Sequence, residues 1–350
     1  MMITQHRTPH ATRTAGFRTC ADRPAALLSR CPAYSRTPLV ESAALARDLG
    51  LCALWVKDET SRMNLGSFKA LGGAFAVVQL LLDRAGVADP MSPAAKETAK
   101  GLTFITASAG NHGLSVAAGA QVFAAQAKVV LSAAVPEAFA RRIERTGAEV
   151  IRVDGSYEDS VAEAVRLARD EGWIHLADGS WEGYTHQPSL VMEGYTVLAE
   201  ECRAAFTEIG HWPTHVLLQA GVGGLAAATA AHIREYWPEQ PEIIIVEPDA
   251  APCLHDSVKA RRLVRASGPV SNMGRLDCKD ASMLAFETLR HDADAFATVS
   301  DAAASEAVVA LAEAGIDTTP SGAASLAALR ELSLPGDAEA MIIASEGPES

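Results

Sequence analysis

The sequence predicts an α/β protein built on parallel β-sheets and organised in about two domains. From residue 100 onward, short apolar runs alternate with helical patterns of about 10–15 residues, which is the arrangement that βαβ units produce. The chain has 350 residues, of which 49% are apolar and 21% charged, as in ordinary globular proteins. A chain of this length is expected to form about two domains.

The first βαβ units are predicted after residue 100. Ser156 and Asp159 form a capping box, which predicts that a helix begins there, and Gly172 ends that helix. Gly147 similarly ends the helix before it. The predicted strands are residues 103–107, 129–131, 149–153 and 173–177, and the helices between them are residues 114–125, 138–145 and 156–172.

The second half of the chain begins with a longer helix and then resumes the alternation. Residues 254–283 are rich in turn-forming residues and are predicted to be irregular. No linker marks a boundary between domains. The predicted strands are residues 216–219, 243–246 and 341–344, and the predicted helices are residues 188–206, 225–236 and 301–314.

Composition and charge exclude several classes of function. Lysine and arginine total 30 against 43 aspartates and glutamates, and a net charge of −13 makes a nucleic-acid partner unexpected. The apolar stretches are interrupted by polar residues, so no membrane span is expected. The absence of an apolar signal-peptide region near the N-terminus predicts a cytoplasmic protein. The six cysteines show no zinc-ligand spacing, so no metal is predicted.

A glycine loop lies between a predicted strand and a predicted helix, at the sheet edge where parallel folds bind ligands. It reads Gly-Val-Gly-Gly at residues 221–224. Glycine lets backbone N–H groups approach an anion, and a helix N-terminus favours negative charge. The spacing matches neither the dinucleotide-binding nor the P-loop pattern. A phosphate site and a simple tight turn both remain possible interpretations.

Two further loops complete a possible cofactor site. Residues 108–112, Ser-Ala-Gly-Asn-His, either hold a carboxylate at a helix N-terminus or form a polar turn. Lys69 lies among small and apolar residues; a partly desolvated lysine has a lowered pKa and can form a Schiff base, although a solvated lysine is the simpler interpretation. Pyridoxal phosphate needs a lysine, an anion site and a polar ring partner, so the three loops together suit that cofactor.

Ordered motifs along most of the chain carry a family resemblance. They are Arg-Thr-Pro-Leu at 36–39, Trp-Val-Lys-Asp-Glu-Thr at 55–60, Gly-Ser-Phe-Lys-Ala-Leu-Gly-Gly at 66–73, Gly-Asn-His-Gly at 110–113, Asp-Gly-Ser-Trp-Glu-Gly-Tyr at 178–184, Met-Glu-Gly-Tyr at 192–195, Gln-Ala-Gly-Val-Gly-Gly at 219–224, Ile-Val-Glu-Pro at 245–248 and Ser-Glu-Gly at 345–347. On these motifs the chain resembles the fold type II, tryptophan-synthase-β-like pyridoxal-phosphate enzymes over about residues 35–347. Within them it is most similar to the diaminopropionate ammonia-lyases.

The resemblance implies a role for each matching residue. Lys69 would bind the cofactor's aldehyde and later remove the Cα proton, and Asp178 would lie near the substrate's β-substituent. Asn111 would hydrogen-bond the phenolic oxygen, and Ser345 would face the pyridine nitrogen. The phosphate would bind the loop formed by Gly221, Val222, Gly223, Gly224 and Leu225. The substrate carboxylate would bind the loop formed by Ser108, Ala109, Gly110, Asn111 and His112.

The resemblance also implies an architecture and an activity. A large cofactor-binding domain would comprise residues 1–71 and 191–350, and a small substrate-side domain would comprise residues 72–190. The implied reaction is α,β-elimination of 2,3-diaminopropionate, a small amino-acid substrate, to pyruvate and ammonia. Homodimers are usual in the family.

Two departures from the lyase pattern leave an alternative open. Ala109 stands where the lyases typically have an aspartate linked to the D-isomer, and alanine accepts no proton, so the L-isomer is favoured. Pro320 stands where the lyases have glutamate before Ser-Gly-Ala, as in dehydratases. The alternative that they favour is an L-serine, L-threonine or other 3-hydroxyamino-acid dehydratase, which uses the same lysine chemistry with hydroxide as the leaving group. A β-replacement synthase, a racemase and a pyridoxal-binding protein without catalysis are also left open.

Overall fold

Two β-sheets and the helices that cover them form the protein in the computed structural model, which describes residues 2–6, 16–108 and 110–348. The strands within these residues are β1 Met2–Gln5, β2 Leu39–Glu41, β3 Ala53–Asp58, β4 Thr103–Thr106, β5 Gln126–Ser132, β6 Glu149–Val153, β7 Ile174–His175, β8 His215–Gln219, β9 Glu242–Pro248, β10 Ala295–Val299 and β11 Glu339–Ala344. The α-helices are α1 Asp22–Leu28, α2 Ala43–Leu49, α3 Lys69–Ala85, α4 Pro93–Lys100, α5 Asn111–Val122, α6 Glu137–Glu144, α7 Tyr157–Glu171, α8 His186–Ile209, α9 Gly224–Tyr236, α10 Cys253–Ala260, α11 Met283–Asp292, α12 Asp301–Glu313 and α13 Pro320–Glu331.

The larger sheet has the strand order β1-β10-β9-β8-β11-β3-β2. Its inner neighbours pair in parallel, whereas β1 and β2 pair antiparallel at the two edges. The inner strands are buried along almost their whole length, because helices cover both faces of a parallel sheet. Of the helices in the described part of the chain, none has the length and apolar character to cross a bilayer.

The smaller sheet, with the order β6-β5-β4-β7, is entirely parallel. Its strands all fall inside residues 72–190, and those of the larger sheet fall outside them. Both predicted domain boundaries nevertheless lie within long helices, α3 and α8, rather than in loops. The division of the chain into two domains at those residues remains a prediction.

Helices α3 and α8 cross at a contact that only glycine permits. A Cβ atom on Gly72 would lie 2.4 Å from Cε1 of Tyr195 and 2.7 Å from the carbonyl oxygen of Val191. A Cβ atom on Gly194 would lie 2.7 Å from Cα of Gly72. Since α3 begins at Lys69, this crossing fixes the position of that lysine relative to α8.

Replacing Gly72 with alanine should therefore destabilise the protein by about 1–3 kcal/mol, because an overpacked backbone contact forces the two helices apart. Denaturant unfolding of both proteins measures this difference. Gly274 is a suitable control, because a Cβ atom there meets nothing within 4 Å. A Gly72→Ala variant as stable as the Gly274→Ala variant would contradict the close packing of α3 on α8.

The prediction that residues 254–283 are irregular is wrong at one end, where α10 forms. The Glu247 carboxylate, at the end of β9, accepts hydrogen bonds of 2.7 Å from the backbone N–H groups of Leu254 and His255. The helix is thus capped by a residue outside it, and a contact of this kind leaves no local sequence pattern.

Candidate active site

Loops that follow four parallel strands meet at one place in the structure. They follow β4, β7, β8 and β11, and the carboxyl ends of parallel strands are where α/β folds bind ligands. A Cβ atom on Gly224, after β8, would lie 3.8 Å from the carbonyl oxygen of Asp178, after β7. Asn111, after β4, is hydrogen-bonded to Glu346, after β11. A contact between the loops after β4 and β7 joins these two pairs, so the four loops meet at a single site.

The turn before α3 places Lys69 in this site. Met63 and Gly66 have φ angles of 51° and 76°, in the left-handed region, so the chain turns sharply there. Ser67 then forms an antiparallel bridge with Glu346, and its hydroxyl accepts a 3.1 Å hydrogen bond from the Lys69 backbone N–H. The lysine is therefore tied to the end of β11 at the first turn of its helix.

A buried ionic cluster anchors the same turn. The fully buried Arg62 guanidinium donates to Glu59 and Glu201, at 2.7 Å each, and Lys57 Nζ donates to Glu201 at 2.6 Å. Burial opposes the charge of Glu201, but these two cations hold its pKa below the ordinary value. Removing one member would leave a buried charge uncompensated, at a cost of about 3–5 kcal/mol. None of these residues was among the predicted site residues.

Lys69 and Asp178 form an ion pair in the site. The Lys69 ammonium donates to Asp178 Oδ2 and lies 5.2 and 5.8 Å from the ring centres of Phe68 and Tyr195. Burial opposes both charges, but the mutual attraction outweighs it, raising the pKa of Lys69 and lowering that of Asp178. The expectation of a lowered lysine pKa is therefore wrong for this state, because the carboxylate compensates the desolvation.

The glycine loop joins β8 to α9, and at two of its positions a side chain would be too close to neighbouring residues. Gly223 has a φ of +97°, and a Cβ atom there would lie 2.8 Å from Cδ1 of Leu254. A Cβ atom on Gly221 would lie 3.0 Å from the carbonyl oxygen of Arg275. Within the described residues, the backbone N–H groups of 223–225 have no hydrogen-bond acceptor. These three donors lie at the positive end of α9, which suits a phosphate group.

The loop after β4 contains the predicted carboxylate-binding residues. The Ser108 hydroxyl accepts a 3.3 Å hydrogen bond from the Gly110 backbone N–H. His112 is buried, and its Nε2 lies 2.8 Å from the carbonyl oxygen of Leu176, so this ring joins α5 to the end of β7. Burial lowers the pKa of His112. Ala109 lies outside the described residues.

Ser345 follows β11 directly and is buried. Its carbonyl oxygen accepts a 3.2 Å hydrogen bond from the Phe68 backbone N–H, one residue before Lys69. Within the described part of the chain, its hydroxyl makes no hydrogen bond. The hydroxyl is therefore free to donate to, or accept from, a bound ring nitrogen.

Comparison with known proteins identifies the family of this chain. Residues 31–346 match the family described as pyridoxal-phosphate dependent enzymes. The chain belongs to this family. The predictions of pyridoxal phosphate as cofactor and of fold type II are thereby confirmed, because a solved relative that contains a PLP reaction intermediate superimposes on almost the whole chain.

Among the similar relatives are diaminopropionate ammonia-lyases. The protein of Escherichia coli (strain K12) is 37% identical over 276 residues, covering 77% of this chain and 69% of its own length. The protein of Salmonella typhimurium is 32% identical over 352 residues, covering 92% and 87%. Crystal structures of the E. coli enzyme with D-serine and with an aminoacrylate-PLP azomethine intermediate each give a TM-score of 0.89, at 31% and 32% identity, covering 99% of this chain and 93% of theirs.

The residues present fit the chemical groups of pyridoxal phosphate. The cofactor presents a phosphate, an aldehyde, a phenolic oxygen and a pyridine nitrogen. A suitable partner is present for each of them: the N–H groups of residues 223–225 for the phosphate, the Lys69 amine for the aldehyde, the Asn111 amide for the phenolic oxygen and the Ser345 hydroxyl for the pyridine nitrogen. The individual assignments remain proposals, whereas the cofactor itself follows from the family.

Titration of His175, three residues before Asp178, should make the protein less stable in acid. Burial is the larger cause and repulsion from His112 the smaller one, and together they lower the pKa of His175 to about 4. The unfolded chain therefore takes up this proton first as the pH falls below about 6.5, and stability declines until about pH 4. Between pH 7 and pH 5 the loss is about 2 kcal/mol.

A His175→Phe variant keeps a ring at this position but cannot titrate. Its unfolding free energy should consequently fall less than that of the wild type between pH 7 and pH 5. Denaturant unfolding at the two pH values measures the difference. Equal losses in the two proteins would mean that His175 titrates no differently in the folded and unfolded states.

Proposed function

We propose that this enzyme catalyses the α,β-elimination of ammonia from 2,3-diaminopropionate, with the L-isomer favoured, to give pyruvate and ammonia. The ion pair between Lys69 and Asp178 carries this proposal. Asp178 is ionised and partnered by an ammonium group in this state. The β-ammonium of diaminopropionate has the same charge and donors as Lys69 Nζ and can replace it, whereas the hydroxyl of serine would leave the carboxylate uncompensated.

Each residue of the site then has a separate role in the elimination. When bound, pyridoxal phosphate withdraws electrons from Cα and so acidifies its proton. Lys69, as a free amine, takes that proton, and Asp178 holds the β-nitrogen in the ammonium form that can leave. The loop of residues 108–112 orients the substrate carboxylate. The neutral hydroxyl of Ser345 leaves the pyridine nitrogen largely unprotonated, unlike an aspartate.

A dehydratase acting on L-serine or L-threonine is the second candidate. The two departures from the lyase pattern, Ala109 and Pro320, favour it because each replaces a carboxylate with a side chain that has none. Fewer negative groups would hold a doubly aminated substrate less well. Pro320 is the first residue of α13, and the preceding Thr319 donates to Glu346, so this departure lies beside the site.

Steady-state rates on four substrates distinguish the two candidates. The cofactor-saturated enzyme is assayed for 2-oxo acid release from L- and D-2,3-diaminopropionate, L-serine and L-threonine. We expect kcat/KM for the L-diamine to exceed that for L-serine by at least about tenfold, the effect of one compensated charge. Turnover of the hydroxyamino acids without turnover of either diamine would establish the dehydratase instead.

We also infer from the family resemblance that the enzyme is a cytoplasmic homodimer. Sedimentation velocity should find a species of twice the chain mass. A monomer at all concentrations would contradict this inference.

A further inference from the structure

Glu346 connects three parts of the candidate site through one buried residue. It follows Ser345 directly, and only 4% of its surface is exposed. Its backbone bridges Ser67, two residues before Lys69, and its carbonyl oxygen accepts a 2.5 Å hydrogen bond from the Thr318 hydroxyl. These backbone contacts secure the end of β11 whatever side chain stands at position 346.

The Glu346 side chain makes a separate set of contacts. One carboxylate oxygen, Oε2, accepts a hydrogen bond from Asn111 Nδ2. The other, Oε1, accepts a 2.6 Å hydrogen bond from the Thr319 hydroxyl. The guanidinium Nε of Arg275 lies 3.9 Å from Oε2. A carboxylate is costly to bury, so this side chain has a more specific use than filling space.

We propose that Glu346 is a positioning residue that fixes the Asn111 side chain for the cofactor's phenolic oxygen. An ionised carboxylate accepts hydrogen bonds and donates none, so it binds only the NH₂ end of the amide. The amide is thereby prevented from flipping its oxygen toward the carboxylate. One Nδ2 hydrogen is used by Glu346, and the second remains for a bound acceptor. The proposal rests on the cofactor role of Asn111 in the proposed function.

The same arrangement places a negative charge next to the cofactor-binding edge. A buried carboxylate favours a protonated, positively charged nitrogen nearby, because the interior screens charges weakly. Lys69 is such a group, because its backbone N–H is hydrogen-bonded to Ser67, whose backbone bridges Glu346. Asp178 is the other carboxylate beside the Lys69 amine. Removing the charge of Glu346 should therefore shift the pH titration of the holoenzyme's visible absorbance band to lower pH.

Glu346→Gln tests the proposal, because it removes the charge while keeping the size of the side chain. The apo-variant is titrated with pyridoxal phosphate, and we expect its Kd to rise about tenfold, the weakening expected when a charged hydrogen-bond acceptor becomes neutral. The absorbance titration should shift to lower pH. Glu193→Gln is a matched control: Glu193 is also a buried carboxylate, but it pairs with Arg23, and both readouts should stay unchanged.

A double-mutant cycle separates positioning from general stability. If Glu346 acts through Asn111, Glu346→Gln should not weaken cofactor binding further in an Asn111→Ala background. Fully additive losses in Kd would overturn the proposal, because they would mean that Glu346 contributes to cofactor binding independently of the amide. The effect of the Glu346 charge on Lys69 is read separately, from the absorbance titration. The cycle uses the conservative glutamine variant, and far-UV circular dichroism checks that each apo-variant is folded.

The failure of this proposal is distinguishable from the failure of the proposed function. If Asn111→Ala weakens cofactor binding and Glu346→Gln leaves Kd and the absorbance titration unchanged, the positioning role is refuted and the enzyme's function stands. If Asn111→Ala itself leaves Kd unchanged, the assignment of Asn111 fails, and the role of Glu346 fails with it. Neither result depends on which amino acid the enzyme turns over.

Discussion

Replacing Lys69 with alanine should lower the rate of pyruvate formation by at least about 10⁴-fold, the largest effect expected for any single substitution. The substitution removes the amine that captures the cofactor's aldehyde and the base that takes the Cα proton. The buried Lys57 does not replace it, because Glu201 holds that amine in the buried cluster. Single-turnover and steady-state assays with saturating cofactor measure the loss.

Two controls make this result specific to the Lys69 amine. Lys100→Ala removes a lysine that also pairs with a carboxylate, Glu97, but on the surface, and should leave the rate unchanged. A small primary amine added to Lys69→Ala should restore part of the rate, because it can supply the missing base. A Lys69→Ala enzyme with wild-type turnover would refute the mechanism.

Replacing Asp178 with asparagine should lower kcat for L-2,3-diaminopropionate by about 10²–10³-fold, as expected when an acid–base or charge-stabilising group is lost. Asparagine keeps the size of the side chain but has no charge with which to hold the β-nitrogen as ammonium. The loss on L-serine, whose β-hydroxyl carries no positive charge, should be smaller. A variant equally impaired on both substrates would show that Asp178 does not discriminate leaving groups.

The same substitution should change the titration of Lys69 in the apoenzyme. Asp178 raises the pKa of this lysine, so its removal should let burial dominate and lower that pKa. The pH at which an acylating reagent modifies half of Lys69 should consequently fall. Asp89→Asn is the matched control, because Asp89 also pairs with a cation, Arg30, but on the surface. An unchanged modification profile would mean that the ion pair does not govern the lysine.

The secondary-structure elements that were predicted best are those whose sequence signals are local. The strand at residues 149–153 and the capping box at Ser156 are found as predicted, because alternation and capping depend on neighbouring residues. Strand β1 was not predicted, and its partner β10 lies almost 300 residues away. Helix α10 depends on a cap from β9, which is likewise invisible in a local window.

The same limit applies to the candidate site: its individual residues could be predicted from motifs, whereas contacts between residues distant in the sequence could not. Motifs indicated Lys69, Asp178 and Asn111 individually, but no pattern joined Asn111 to a partner 235 positions away. Glu346 lies inside the Ser-Glu-Gly motif at 345–347, but no role was predicted for it. The pKa of Lys69 was expected to fall because a lysine among apolar residues is desolvated. The pKa of Lys69 is raised instead, because folding places the Asp178 carboxylate beside the amine. The residues that neighbour Lys69 in the sequence do not reveal this charge.

The ratio of ammonia to pyruvate released from L-2,3-diaminopropionate tests the central claim most directly. The cofactor-loaded enzyme is incubated with the diamine, and both products are quantified over the same time course. Elimination of the β-nitrogen followed by hydrolysis predicts two ammonia molecules for each pyruvate, and one for each pyruvate formed from L-serine. No pyruvate from the diamine, with steady release from L-serine, would contradict the ammonia-lyase account.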